Sequence, residues 1–146
     1  MRTEFRPALL PKELRSLQAF DRKVFRPGDW FPAGYWRECE SYWLLVEGRK
    51  IGCCAFEKHE EQETLYISST GILPAFQRQG FGQLLKVWQI AYARRLGFQK
   101  IVTNVRERNQ AMIVLNRKFD FRIVRTLPRY YSRPTDAAVV MELLLH

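Results

Sequence analysis

Apolar positions along the chain follow two rhythms. In one, Leu14, Leu17, Phe20 and Val24 recur at spacings of three and four, which predicts a helix opened by Pro11. From Gly82 to Leu96 the same rhythm puts Leu84, Leu85, Trp88, Ala91 and Tyr92 on one stripe, with Gly97 as a stop. Asn109, a good capping residue, precedes a third helix whose Met112, Leu115 and Phe119 share a face. A shorter helix fits Phe31 to Cys39, beginning at Pro32 behind the turn Arg26-Pro27-Gly28-Asp29.

The other rhythm is the β-branched and aromatic run of a strand. It predicts strands over residues 1–8 (ended by Pro7), Tyr42 to Glu47, Ile51 to Phe56 and Thr64 to Leu73, the last ended by Pro74. Others follow over Lys100 to Val105, Phe121 to Thr126 and Ala138 to Leu145. Gly48-Arg49 reads as the tight turn of the hairpin between the second and third strands. The order is β-α-α-β-β-β-α-β-α-β-β, with no repeat, low-complexity tract or linker. The expectation is one α/β (α+β) domain over 1–146, a mixed sheet flanked by helices.

Composition adds little to that picture except in three places. Aromatics make up 14% of the 146 residues, which suggests a heavy core and some aromatic lining of a cleft. Cysteines number three; Cys53 and Cys54 are adjacent and point to opposite faces of a strand, which suits neither a disulfide framework nor a zinc site. With no signal-like start and no run of ~20 apolar residues, a cytoplasmic protein without membrane or metal is expected. Net charge is +9, and residues 106–133 hold +6 of it, eight bases against Glu107 and Asp120. Such a basic stretch reads as a solvated face or as an attraction for polyanions. Nucleic acid is disfavoured, because Phe119 and Phe121 look buried and only Tyr130 and Tyr131 remain to stack on bases.

The strongest chemical signal is Gln77-Arg78-Gln79-Gly80-Phe81-Gly82, lying between a long strand and an amphipathic helix. A phosphate-binding loop needs inward-turned N–H groups with no Cβ in the way, which Gly80 and Gly82 provide. The following helix adds its unbonded first N–H groups and the positive end of its dipole. Arg78 adds charge. A Walker loop would end Gly-Lys-Ser/Thr, and Gly82-Gln83-Leu84 does not; a dinucleotide fingerprint would need a third glycine.

With these residues, and with Asn109, Ala111, Leu115 and Phe121 after them, the chain over 64–145 resembles the Gcn5-related N-acetyltransferases, whose signature is Gln/Arg-x-x-Gly-x-Gly/Ala. Tyr130-Tyr131, Asp136-Ala137 and Met141 resemble the end of the ribosomal-protein alanine N-acetyltransferases. Residues 1–63 match in element order alone. The resemblance implies a sheet splayed between its fourth and fifth strands. It also implies acetyl-CoA as acyl donor and a primary amine, on a protein N-terminus or a small molecule, as acceptor. It carries Thr70, Gly71 and Ile72 over as backbone partners of the pantetheine and acetyl group, with a bulge aiming an N–H at the thioester oxygen. Gln77, Arg78, Gln79, Gly80, Phe81, Gly82 and Gln83 become the pyrophosphate loop, and Asn109 and Asn116 become side-chain contacts to the cofactor.

Two departures stand out. Where the alanine N-acetyltransferases place a glutamate base this chain has Asn104, and where they place a tyrosine acid it has Asn116; neither amide titrates usefully. Tyr130 and Tyr131 are the candidate replacements. Tyr66 and Ser68 face the cleft by alternation, Glu63 is a possible base through water, and Trp30 to Trp36 falls where the family builds its acceptor wall. The missing acid and base also admit a second reading, a non-catalytic acetyl-CoA-binding module.

Overall fold

The computed structural model describes residues 1–145, in which the chain forms two compact units. The first holds residues 1–57 and 68–85, the second residues 58–67 and those from Lys86 onward. Strand order in the seven-stranded mixed sheet is β1-β2-β3-β4-β5-β7-β6.

In the first unit β1 (Thr3–Pro7) pairs antiparallel with β2 (Glu40–Val46), which pairs antiparallel with β3 (Arg49–His59). Val46 is opposite Arg49, so the turn residues are Glu47 and Gly48, one position earlier than the expected Gly48-Arg49. Both have positive φ, 50° and 78°, the geometry that fits the twist of a two-residue hairpin. The third strand also runs three residues past Phe56, so Glu57 to His59 belong to it and not to a loop.

Against this sheet pack α1 (Leu14–Val24) and α2 (Ala33–Glu38). Leu17 and Phe20 from α1 and Trp36 from α2 meet Trp43, Leu45, Cys53 and Ala55 of the strands. Trp36 and Trp43 are each 1% exposed, and truncating either would cost about 3–5 kcal/mol. The helix α1 starts at Leu14, and the Glu13 carboxylate just before it locks that start to the sheet. It accepts the Leu9 N–H at 2.7 Å, the Trp43 Nε1–H at 3.0 Å and the Lys50 ammonium at 2.9 Å. Burial alone would raise the pKa of Glu13, but these donors outweigh it and hold the carboxyl below its usual range.

Two elements supply residues to both units: β4 (Thr64–Ile72) and α3 (Phe81–Arg95). In the second unit Thr64–Ile67 of β4 pairs parallel with Lys100–Thr103 of β5 (Lys100–Arg106), a ladder of four residue pairs in a strand of nine. Antiparallel pairs join β5 to β7 (Asp136–Leu144) and β7 to β6 (Arg122–Tyr131), so β6 is the edge strand and runs five residues beyond the expected Thr126.

The face of α3 differs from the apolar stripe. Leu85 and Tyr92 are buried as expected, but Ala91 is exposed, whereas Lys86 and Gln89 are 1% and 0% exposed. The Lys86 ammonium stands 5.1 Å from the Phe121 ring centre, a cation–π contact that lets a charged head lie inside. Apolar periodicity cannot see such residues. In α4 (Gln110–Lys118) the Asn109 Oδ1 caps the helix by accepting the Met112 N–H at 3.2 Å. Ile113 and Asn116 are its most buried positions, one step round from the Met112, Leu115 and Phe119 face, which is half-buried.

Candidate cofactor and acceptor sites

Past Ile72 the chain turns through a short 3₁₀ segment, Pro74–Phe76, and two side chains brace the loop that follows. Gln77 donates its amide to the Ile72 carbonyl at 3.0 Å, and Gln79 donates to the Ala75 carbonyl at 3.0 Å. Their side chains therefore shape the loop, and only their main chains are turned to a ligand's use. Arg78 and Gly80 have φ of 62° and 89°, left-handed residues on alternate positions. A Cβ at Gly80 would meet no atom within 4 Å, so that side of the loop is open.

The first helical bond of α3 runs from the Leu84 N–H to the Gly80 carbonyl at 3.1 Å. By helix geometry, the N–H groups of Phe81, Gly82 and Gln83 precede that bond and point out of the helix end. They open a helix of fifteen residues. Phe81 is 6% exposed and packs edge-on against Phe76 at 6.1 Å, and the Arg49 guanidinium lies 5.2 Å from the Phe76 ring. This anchors the open loop on a buried aromatic hinge. The exposed Gln77–Gly80 backbone, Arg78 and the helix end fit a pyrophosphate.

On β4 the same unit holds Thr70, Gly71 and Ile72. Gly71 and Ile72 are buried, and a Cβ on Gly71 would stand 3.0 Å from Val24 Cγ1 and 3.1 Å from the Phe25 ring. A side chain at Gly71 would therefore press on the end of α1, whose Val24 and Phe25 side chains would have to give way.

A polar cluster that the sequence does not announce lies on the same strand. Tyr35 of α2 bonds through its hydroxyl to Glu57 at the end of β3, and to Ser68 Oγ on β4 at 2.8 Å. Cys39 Sγ is 3.8 Å from the same Ser68 oxygen. A phenol has one proton, and it goes to the carboxylate; Ser68 then donates to the phenol oxygen and the Cys39 thiol to Ser68. Burial first, and then the bond to Glu57, push the Tyr35 phenol well above its usual range, so it stays a neutral donor. Burial likewise raises the Cys39 thiol. Trp36, by contrast, is core, while Trp30 is 38% exposed, donates Nε1–H to the Phe25 carbonyl at 2.8 Å and lies 5.5 Å from the Arg22 guanidinium.

The second unit holds the remaining sequence-derived candidates. Asn104 is half-buried on β5 opposite Val140. Asn116 is 0% exposed, and its amide donates to Met141 Sδ at 3.6 Å. Asn109 uses Oδ1 for its cap, so a ligand would meet its amide nitrogen. Tyr131 is half-buried under the Arg106 guanidinium at 4.5 Å, and Tyr130 packs edge-on to it while 52% exposed. Arg106 also donates to the Pro134 and Ser132 carbonyls at 2.7 and 2.9 Å, closing the loop between β6 and β7. Glu63 is exposed in a left-handed turn whose carbonyl accepts the Gln99 N–H at 2.8 Å, and His59 stacks on Tyr66 at 6.0 Å. Among the described residues no group of three His, Cys, Asp or Glu could hold a metal ion, and no helix is long and apolar enough to cross a membrane.

A strand ending in a braced turn, a loop with left-handed residues at Arg78 and Gly80 and the start of a helix follow one another in the first unit of this α/β chain. Residues 11–121 match the model described as the Acetyltransferase (GNAT) family, and the chain belongs to that family. It is 35% identical over 95 residues to the Drosophila melanogaster protein named "Probable N-acetyltransferase san", which covers 63% of this chain and 52% of that one. This chain spans about half the length of the curated relatives it matches. Its fold is similar to that of the ribosomal-protein-S18-alanine N-acetyltransferase of Escherichia coli, with a TM-score of 0.85 at 17% identity over 98% of this chain and 94% of that one. A GNAT family acetyltransferase from Elizabethkingia anophelis with acetyl-CoA bound gives a TM-score of 0.79 at 20% identity over 98% of both chains.

Proposed function

We propose that this chain is an acetyl-CoA-dependent N-acetyltransferase acting on a primary amine, with one catalytic domain over 1–146. The observation that carries the reading is the left-handed pair Arg78 and Gly80 set before the start of α3. That loop offers main-chain N–H groups, a guanidinium and a helix dipole to one anion, and it does so inside a chain of the GNAT family. When bound, acetyl-CoA supplies an acetyl group activated as a thioester.

The residues present divide the work. Arg78, Phe81, Gly82 and Gln83 would hold the pyrophosphate through their N–H groups and the Arg78 charge. Thr70, Gly71 and Ile72 would hold the pantetheine arm by main-chain bonds, and an N–H near Gly71 would face the thioester oxygen, where such a donor is worth ~3 kcal/mol. The acceptor we infer is the α-amino group of a protein or peptide, a reading supported by the presence of a ribosomal-protein-S18-alanine N-acetyltransferase among the structural neighbours. The buried thiols of Cys39, Cys53 and Cys54 support a reducing, cytoplasmic setting.

The test is a melting curve with and without acetyl-CoA, followed by thiol release with a panel of peptide and small amines. Acetyl-CoA at a hundredfold its Kd stabilises by about 2.7 kcal/mol, a shift easily read. A folded protein that shows no shift at millimolar acetyl-CoA removes the reading.

A further inference from the structure

Beyond the cofactor, the geometry points to an acceptor-handling residue: we propose that Glu57 is the base that takes a proton from the acceptor's ammonium group, with Tyr35 and Ser68 as its positioning residues. The inference rests on the acetyltransferase reading, because it concerns the amine which that reaction requires.

An α-amino group has a pKa of about 7.7–8.0, so much of it arrives protonated at neutral pH and has no lone pair to attack with. Some group must take that proton. The positions where a resembling enzyme has glutamate and tyrosine hold Asn104 and the fully buried Asn116 here, and neither side chain titrates. Glu57 is placed for the task. It is half-buried at the end of β3, and the Tyr35 hydroxyl holds one of its oxygens. A carboxylate has about four lone-pair sites, so it can accept from Tyr35 and from an ammonium at once.

The location also fits. Ser68, which orients Tyr35, and Thr70 are half-buried residues two apart on β4, hence on one face and roughly 7 Å apart along the strand. Thr70 and Gly71 are where the thioester would lie under the proposed function. The aromatic wall that supports the cluster is built in: Phe31 packs edge-on to Tyr35 at 4.7 Å and leans on Trp36 at 5.0 Å. Tyr35 stays protonated across the working range, so it directs the carboxylate without competing for the acceptor's proton. The step balances simply. One N–H bond of the ammonium breaks, one O–H bond forms on Glu57, the lone pair stays on nitrogen, and the half-exposed carboxyl then releases the proton to water.

The experiment uses tetraglycine as acceptor and its N-acetylated form as the uncharged control. In Glu57→Gln, thiol release with tetraglycine should fall about a hundredfold at pH 6.5, the lower side of the usual general-base range. The deficit should shrink toward parity by pH 9, where the amine is already neutral. Tyr35→Phe should lower the rate less and keep the wild-type pH profile. In the cofactor-free protein, nitrogen–proton correlation spectra should show tetraglycine shifting amides around Tyr35, Glu57 and Ser68, an effect lost in Glu57→Gln and absent with N-acetyltetraglycine. A Glu57→Gln deficit equal at every pH, or none at pH 6.5, overturns the inference while leaving the acetyltransferase reading in place. Unchanged spectra on adding tetraglycine overturn it as well. Wild-type protein that binds acetyl-CoA and acetylates no amine removes both together, and acetyl-CoA calorimetry on each variant tells these cases apart.

Discussion

Asp21, at 3% exposure, accepts the Phe31 main-chain N–H through Oδ2 at 2.8 Å and so ties the end of α1 to the segment that leads into α2. Burial, helped by the negative charge of Asp29 and opposed by that N–H, pushes its carboxyl up to about 6. Its folded pKa therefore lies above its unfolded one. The protonated form is the one the fold favours, so this group's contribution is fully present below about pH 4 and is lost as pH rises through about 6. Asp21→Asn keeps an oxygen for Phe31 and removes the charge. We expect its melting temperature at pH 7.5 to exceed wild type by roughly 3–6 °C, with the gap closing at pH 4. Calorimetry across that range checks it, and a gap that persists at pH 4 would count against the buried-charge explanation.

For the phosphate loop, Gly82→Val puts a branched side chain at the helix mouth where the pyrophosphate must approach. Binding of acetyl-CoA should disappear by titration calorimetry while the fold persists. Arg78→Ala should weaken it by only about tenfold, the worth of one charged hydrogen bond. Since Arg78 already sits at φ 62°, alanine there adds no backbone strain beyond that which arginine carries.

Asn116→Tyr tests the family's tyrosine in its usual place. Because Asn116 is fully buried against Met141, the larger ring overfills the space and should cost about 1–3 kcal/mol of stability, with no gain in thiol release. Tyr131→Phe keeps the ring under Arg106 and removes only the hydroxyl. If its hydroxyl protonates the departing thiolate, thiol release should fall at least about tenfold, and an unchanged rate would assign Tyr131 to packing alone.

Much of the fold was legible because each element announces itself locally. Leu17 and Phe20 carry helical spacing, Pro74 and Gly97 punctuate, and Asn109 caps. What stayed hidden depends on neighbours distant in sequence. Tyr35, Glu57 and Ser68 are 22 and 33 positions apart along the chain, and only the sheet brings them together. Glu57 did leave a trace, as the first polar residue after the buried run Ile51 to Phe56 in one strand. Lys86, Gln89 and Asn116 mislead a periodicity argument for a simpler reason: their polarity places them outside, and packing places them inside.

Cys53 and Cys54 face opposite sides of β3 at 3% and 0% exposure, and burial lifts the Cys53 thiol well above its usual range. Buried thiols of this kind are chemically silent. The protein thus carries its own gauge of opening. An aromatic disulfide reagent should leave both sulfurs unreacted in the native state and label them only when the strand leaves the sheet, at a rate set by the population of that open form. Adding acetyl-CoA should slow the labelling, which would turn two inert side chains into a clock for ligand-induced tightening of the first unit.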